Sequence, residues 1–304
     1  MAQPRILITG STGFVGRAVT RVLQRLGAPL CHVVRSGSAS RIACLGPRDR
    51  VIECDDVFAQ SADWWADHLA DQDIVLHLAW YAEPGRYQMS PKNFDCLSGT
   101  LAMARGAASA NLARFVAVGT CLEYDLSAGA VGPHTPLAPQ SPYAAAKAAC
   151  GLALGQMLPL AEVSFLWARL FYLHGAEEDP RRLVAYLHRQ LQAGEVAELS
   201  SGMQLRDFLD VEVAAQMLVQ ETLGERTGAV NISSGEGIRV RQLAERIADE
   251  HGRRDLLRFG ARPDHPDDPP EVIGLRPAAP KPRYGGQAVK VPDRYWADRQ
   301  AVPA

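Results

Sequence analysis

The chain has 304 residues, 47% hydrophobic and 22% charged, with a formal net charge of -2. That length suits one large domain with a smaller appendage, and the balanced charge argues against a nucleic-acid partner. No apolar run approaches the roughly 20 residues that span a bilayer, and the start lacks a signal-peptide pattern, so the sequence predicts a cytoplasmic protein with no membrane partner.

In chain order, residues 5–9 (RILIT) predict a strand, GSTGFVG a glycine turn, and residues 18–26 a helix. Strands follow at 30–34 and 51–54, and the continuous apolar run at 74–79 predicts a parallel strand covered on both faces. A helix at 101–110, a strand at 114–118, a loop carrying Pro133, Pro136, Pro139 and Pro142, an alanine-rich helix from Tyr143 and a strand at 162–170 complete the alternation. Strands alternating with helices over the first ~170 residues predict an α/β fold, a doubly wound parallel sheet that binds ligands at the carboxyl ends of its strands. Beyond residue 169 helices are expected at 181–193, 211–223 and 240–251, and the tail after Gly260 is rich in proline and arginine. The six cysteines, Cys31, Cys44, Cys54, Cys96, Cys121 and Cys150, form no Cys-x-x-Cys pair, which predicts reduced thiols and no metal site.

Gly10, Gly13 and Gly16 stand between strand and helix with the spacing that lets a backbone approach a pyrophosphate at a helix N-terminus. About 20 residues later, where an acid would bind the ribose hydroxyls of NAD, the chain has Arg35 with Ser36 and Ser38, a set suited to a 2'-phosphate. NADP is therefore favoured over NAD. Tyr143 and Lys147, four apart in SPYAAAK, share a helix face, and an ammonium beside a phenol eases proton exchange near neutral pH.

With TGSTGFVG (residues 9–16), DIVLHLA (73–79), VGTCLEY (118–124), SPYAAAK (141–147), RLFYLHG (169–175), RDFLDV (206–211) and NISSGE (231–236), the chain resembles the extended short-chain dehydrogenase/reductase family. The likeness is to its sugar-nucleotide epimerase, dehydratase and 4-ketoreductase branch. The resemblance implies a Rossmann-like dinucleotide domain at 1–168 plus about 205–234, and a smaller α/β substrate domain at about 169–204 plus 235–304. It implies Thr120, Tyr143 and Lys147 as the catalytic set, with Thr120 and Tyr143 also touching the sugar. The dinucleotide would be held by Gly10, Thr12, Gly13, Phe14, Val15, Gly16, Arg35, Ser36, Asp56, Val57, Leu78 and Ala79 together with Tyr143 and Lys147. Arg206 and Arg262 resemble the arginines that hold a substrate diphosphate. A homodimer through two long helices per subunit is also implied.

Departures from the family pattern narrow the chemistry. Cys121 and Leu122 replace the Asp-Glu pair that serves dehydration, and Leu122 and Glu177 replace the cysteine and histidine that serve double epimerisation. Strand alternation would turn Cys121 away from Thr120 into the core. Cys96 stands where asparagine is usual and Val213 where aspartate is usual, both supporting positions. Redox at one carbon remains: reduction of a nucleotide-linked 4-keto sugar, or NAD-dependent C4 epimerisation. A dehydrogenase for a small carbonyl compound and a non-catalytic dinucleotide-binding regulator are the further alternatives.

Overall fold

The computed structural model describes residues 3–276; the part of the expected substrate domain at 277–304 lies outside the described residues. Seven parallel strands form the main sheet: β1 (Ile6–Thr9), β2 (Leu30–Arg35), β3 (Arg50–Cys54), β4 (Ile74–His77), β5 (Arg114–Thr120), β6 (Ser164–Leu170) and β7 (Gly228–Ile232). Their spatial order, β7-β6-β5-β4-β1-β2-β3, reverses direction at β1 and opens the crevice between β1 and β4. The side-chain period of two divides β1 between the two faces: Ile6 and Ile8 enter one core and Leu7 the other.

Helices α1 (Phe14–Arg25), α2 (Ala62–Leu69), α3 (Lys92–Ser109), α4 (Pro142–Leu160), α5 (Leu183–Ala193), α6 (Val211–Leu223) and α7 (Val240–Glu250) cover the sheet and the smaller half. Residues of α1 and α6 pack with Ile6 and Ile8, whereas those of α2, α3 and α4 pack with Leu7. Helix starts follow local chemistry. Ser141 accepts from the Ala144 amide and Pro142 occupies the first turn of α4, while Asp210 accepts from the Glu212 amide to start α6.

The smaller half is built of strands two to four residues long. One sheet runs Ile238–Arg239, Leu205–Arg206, Glu271–Gly274, Ala130–Val131. Two of its strands, Ala130–Val131 and Leu205–Arg206, come from segments that the sequence assigned to the dinucleotide domain, so the two halves share this sheet. The buried Asp207 clasps it: one carboxylate oxygen accepts from the Ser234 amide (2.7 Å) and hydroxyl (2.6 Å), the other from the amides of Gly235 (3.0 Å) and Gly274 (3.1 Å). Burial pushes this carboxyl up to about 6 against the pull of those donors. Among the described residues no helix is long and apolar enough to cross a membrane.

Candidate active site

The carboxyl ends of the strands open on one cavity of about 1630 Å³, larger than the roughly 300–1,000 Å³ of a single small-molecule pocket, with room for two extended ligands. Its floor begins at the glycine turn. Gly10 holds φ +74, a left-handed conformation, and a Cβ there would stand 2.7 Å from the Ala79 nitrogen. A Cβ on Gly16 would stand 2.0 Å from the Gly10 carbonyl oxygen, so only glycine lets α1 approach the turn. No side-chain hydrogen bond caps α1 and its first turn carries no acid, leaving its amides and positive dipole end toward the cavity. These features fit the pyrophosphate of a dinucleotide.

Thr12, Phe14, Val15, Asp56, Val57, Leu78 and Ala79 line the same cavity, as do Arg35, Ser38 and Arg41. Ser36 is not on its wall: its hydroxyl donates to Asp55 at 2.7 Å, so Ser38 and Arg41 take the place expected for it. Asp56 accepts from the Phe58 amide at 2.9 Å and starts a short 3-10 turn at the cavity wall.

Helix α4 brings Tyr143 and Lys147 to the middle of the cavity, one turn apart, opposite Thr120 at the end of β5. Tyr143 and Thr120 line the same cavity, and burial with the facing Tyr87 pushes the Tyr143 phenol above its ordinary range. Lys147 is buried, donates to the Val118 carbonyl at 2.7 Å, and is drawn by desolvation down to about 8. Cys121 is in the core as expected, packed with Tyr124, Val131, Phe171 and Val272, but not by strand alternation: the strand ends at Thr120 and Cys121 opens a 3-10 turn that keeps the residue at the cavity wall. Burial pushes its thiol up to about 12, which leaves it a poor acid or base.

Below Thr120 lies a buried polar network. Glu123 accepts from the Thr120 amide (2.8 Å), from Trp167 Nε1 (2.9 Å) and from Arg169 Nε (2.6 Å). Arg169 also donates to the Tyr124 hydroxyl, which donates to Asn231 at 2.7 Å. Each member is satisfied, as a buried charge requires.

The opposite wall belongs to the smaller half. Arg206 is buried, crosses the Tyr172 ring and pairs with Asp268 at 2.5 Å. Arg262 sits at the exposed rim against the Tyr186 ring, 3.9 Å from Glu198, and Arg189 approaches the same ring. The two arginines predicted to hold a diphosphate thus line one cavity, one buried and one exposed. Arg181 reaches across to Glu83 at 3.8 Å, and Arg182 approaches the ring of Tyr87.

Several of these residues escaped the sequence reading: Trp80, Tyr87, Tyr172, Glu123, Arg41, Arg182, Arg189 and Glu178. Glu178 lines the cavity and is pushed up to about 7 by burial, against the pull of Arg182 and of the Ala185 and Gly175 amides. The helix-end position of Arg182 was the one visible signal among them. Among the described residues no group of three or more His, Cys, Asp or Glu side chains is placed to hold a metal ion.

Comparison with known proteins adds to this geometry. The sequence profile of the NAD dependent epimerase/dehydratase family matches residues 6–232. The dTDP-6-deoxy-L-talose 4-dehydrogenase (NAD(+)) of Aggregatibacter actinomycetemcomitans is 23% identical over 89% of this chain and 99% of its own. The dTDP-glucose 4,6-dehydratase of Streptomyces niveus is 28% identical over 86% of this chain and 82% of its own. Among solved structures, the UDP-N-acetylglucosamine 4-epimerase of Methanobrevibacter ruminantium M1 in complex with UDP-N-acetylmuramic acid superposes with a TM-score of 0.80 at 20% identity. The match covers 91% of this chain and 90% of that one.

Proposed function

The chain belongs to the NAD dependent epimerase/dehydratase family, whose members modify nucleotide sugars, and we propose that it reduces a nucleotide-linked 4-keto sugar with NADPH as a cytoplasmic homodimer. The observation that carries this reading is the arrangement at the reacting carbon. Tyr143, buried and protonated, lines the cavity with Thr120 and is the proton donor, and the two positions after Thr120 offer only the Cys121 thiol, pushed up to about 12, and Leu122. Elimination of water needs a further acid and base there.

A bound reduced nicotinamide supplies the hydride that reaches C4. Tyr143 gives its proton to the carbonyl oxygen, converting ketone to alcohol, while the Thr120 hydroxyl holds that oxygen in line. The Lys147 ammonium stabilises the phenolate that remains and holds the nicotinamide ribose. Arg206 and Arg262 take the diphosphate, with Arg206 exchanging Asp268 for phosphate oxygens. Arg35, Ser38 and Arg41 at the adenosine end support the 2'-phosphate of NADPH. Six free cysteines support a reducing compartment. Exposed Phe94 on α3 and Leu152, Met157 and Leu160 on α4 support a two-helix contact with a second copy.

The test is to strip bound dinucleotide, titrate NADPH and NADH separately by fluorescence, and offer 4-keto sugar nucleotides. Tight, exchangeable NADPH that is oxidised in step with ketone loss is expected. Retained NAD, with C4 interconversion of sugar nucleotides and no net NADPH consumption, would replace the reductase by the C4 epimerase.

A further inference from the structure

Both members of the catalytic pair on α4 touch aromatic rings that come from one segment, residues 80–87. The Trp80 ring stands 3.8 Å from Lys147 Nζ, measured to its centroid, and its edge approaches Tyr143 with ring centres 6.4 Å apart. Tyr87 meets Tyr143 edge to face at 4.7 Å, with planes 88° apart. Behind both rings lies Asn93 of α3, which is 1% exposed. Its oxygen accepts from Trp80 Nε1 at 2.9 Å, and its nitrogen donates to the carbonyls of Tyr87 (2.7 Å) and Ser90 (2.9 Å). Phe58 meets the Trp80 ring at 6.3 Å, tilted by 73°.

Lys147 is in a dry place. The groups that face it are Glu123 from the turn after β5, Cys96 from α3, Cys150 from its own helix and His77 from β4. Burial favours the neutral amine there, and one of its three donors is taken by the Val118 carbonyl. An indole face within a few ångströms of a desolvated ammonium is a strong cation–π contact.

We propose that Trp80 and Tyr87, fastened through the buried amide of Asn93, are positioning residues that bracket the catalytic pair, with the Trp80 face holding Lys147 as the ammonium aimed at the dinucleotide ribose. Tyr87 fixes the ring plane of Tyr143, and Trp80 fixes both the position and the charge of its partner. This deepens the reading of the site as a dinucleotide-dependent reductase and rests on it for the role of Lys147.

The test uses the full chain and NADPH, without a sugar substrate. NADPH affinity of the unaltered protein is expected to fall as pH rises through about 8, where Lys147 loses its proton. In Trp80→Leu the fall begins about one pH unit lower, leaving binding roughly fivefold weaker at the original midpoint and about tenfold weaker a unit above it. Trp80→Phe, which keeps an aromatic face, stays within about threefold of the unaltered protein. Circular dichroism and melting establish that each variant is folded. A folded Trp80→Leu protein with an unshifted pH dependence overturns the proposal, and so does a Phe variant as impaired as Leu. The reductase reading fails separately, by intact NADPH binding without turnover of any 4-keto sugar nucleotide.

Discussion

Glu123 and Arg169 meet at 2.6 Å beneath Thr120 with side chains 0% and 7% exposed, whereas Arg262 and Glu198 stand 3.9 Å apart at the rim, 55% and 58% exposed. The same two chemical groups serve opposite ends. Beneath Thr120, burial makes each partner obligatory, because either charge left alone would be stranded without water. At the rim water screens the pair, so the guanidinium can leave its carboxylate for a ligand at little expense. The floor of the cavity is thereby built to hold geometry, and the rim to exchange partners.

The largest effect that would break this contrast is at the floor. Tyr143→Phe should lower kcat by about 10²–10⁴ at saturating NADPH, in steady-state reduction of a 4-keto sugar nucleotide. A variant altered only in KM would show that the proton comes from elsewhere.

The contrast itself is sharpened by a matched pair of charge removals. Glu123→Gln strands Arg169 and should cost about 3–5 kcal/mol in denaturant unfolding, whereas Glu198→Gln should cost less than about 1 kcal/mol. Equal losses would show that the floor pair is as loosely held as the rim pair.

Acid titration probes the floor next. His77 is buried, its ring nitrogens bonded to the hydroxyls of Thr9 (2.8 Å) and Thr100 (2.9 Å). Thr100 spends its proton on the Cys96 carbonyl, so it accepts from Nε2–H. Thr9, which accepts from the Ala79 amide, gives its proton to Nδ1. Desolvation, with the nearby Lys147 charge, draws His77 from 6.5 down to about 3. The unfolded chain therefore binds the proton first. Stability present above about 6.5 should be lost as pH falls toward about 3, by up to roughly 1.4 kcal/mol per pH unit from this residue. A His77→Gln variant whose acid unfolding curve overlays that of the unaltered protein would remove His77 from the account.

The smallest expected effect lies at the rim. Arg262→Ala should raise KM for nucleotide sugars by at most about tenfold, ~1.4 kcal/mol, and leave kcat alone. The same rise with a simple ketone lacking a diphosphate would take Arg262 out of substrate binding.

How much of this was legible in the chain follows from where the information sits. Gly10, Gly13 and Gly16 declare themselves because backbone approach demands glycine, and Tyr143 with Lys147 because helical spacing aligns them. The helix at 211–223 was read to its ends, since Asp210 starts it and Gly224 follows it. Helix α2 was passed over: its two turns bury only Trp65 and Leu69, too short a pattern to show a period. The strands Leu205–Arg206 and Glu271–Gly274 owe their pairing to partners more than 30 residues away, which no local pattern carries. Glu123 lay hidden in the turn after β5, where no spacing marks its partners Trp167 and Arg169, and Trp80, Tyr87 and Asn93 matter through one another, a relation visible only in space.

The Asp207 clasp bears on how a long substrate enters. Its four donors come from the segments at 234–235 and 274, so those two segments part from Asp207 only by breaking them together. On the far side the halves are joined by the exposed pair Arg181 and Glu83 at 3.8 Å. Water screens that pair, so it can separate at little cost while the clasp holds.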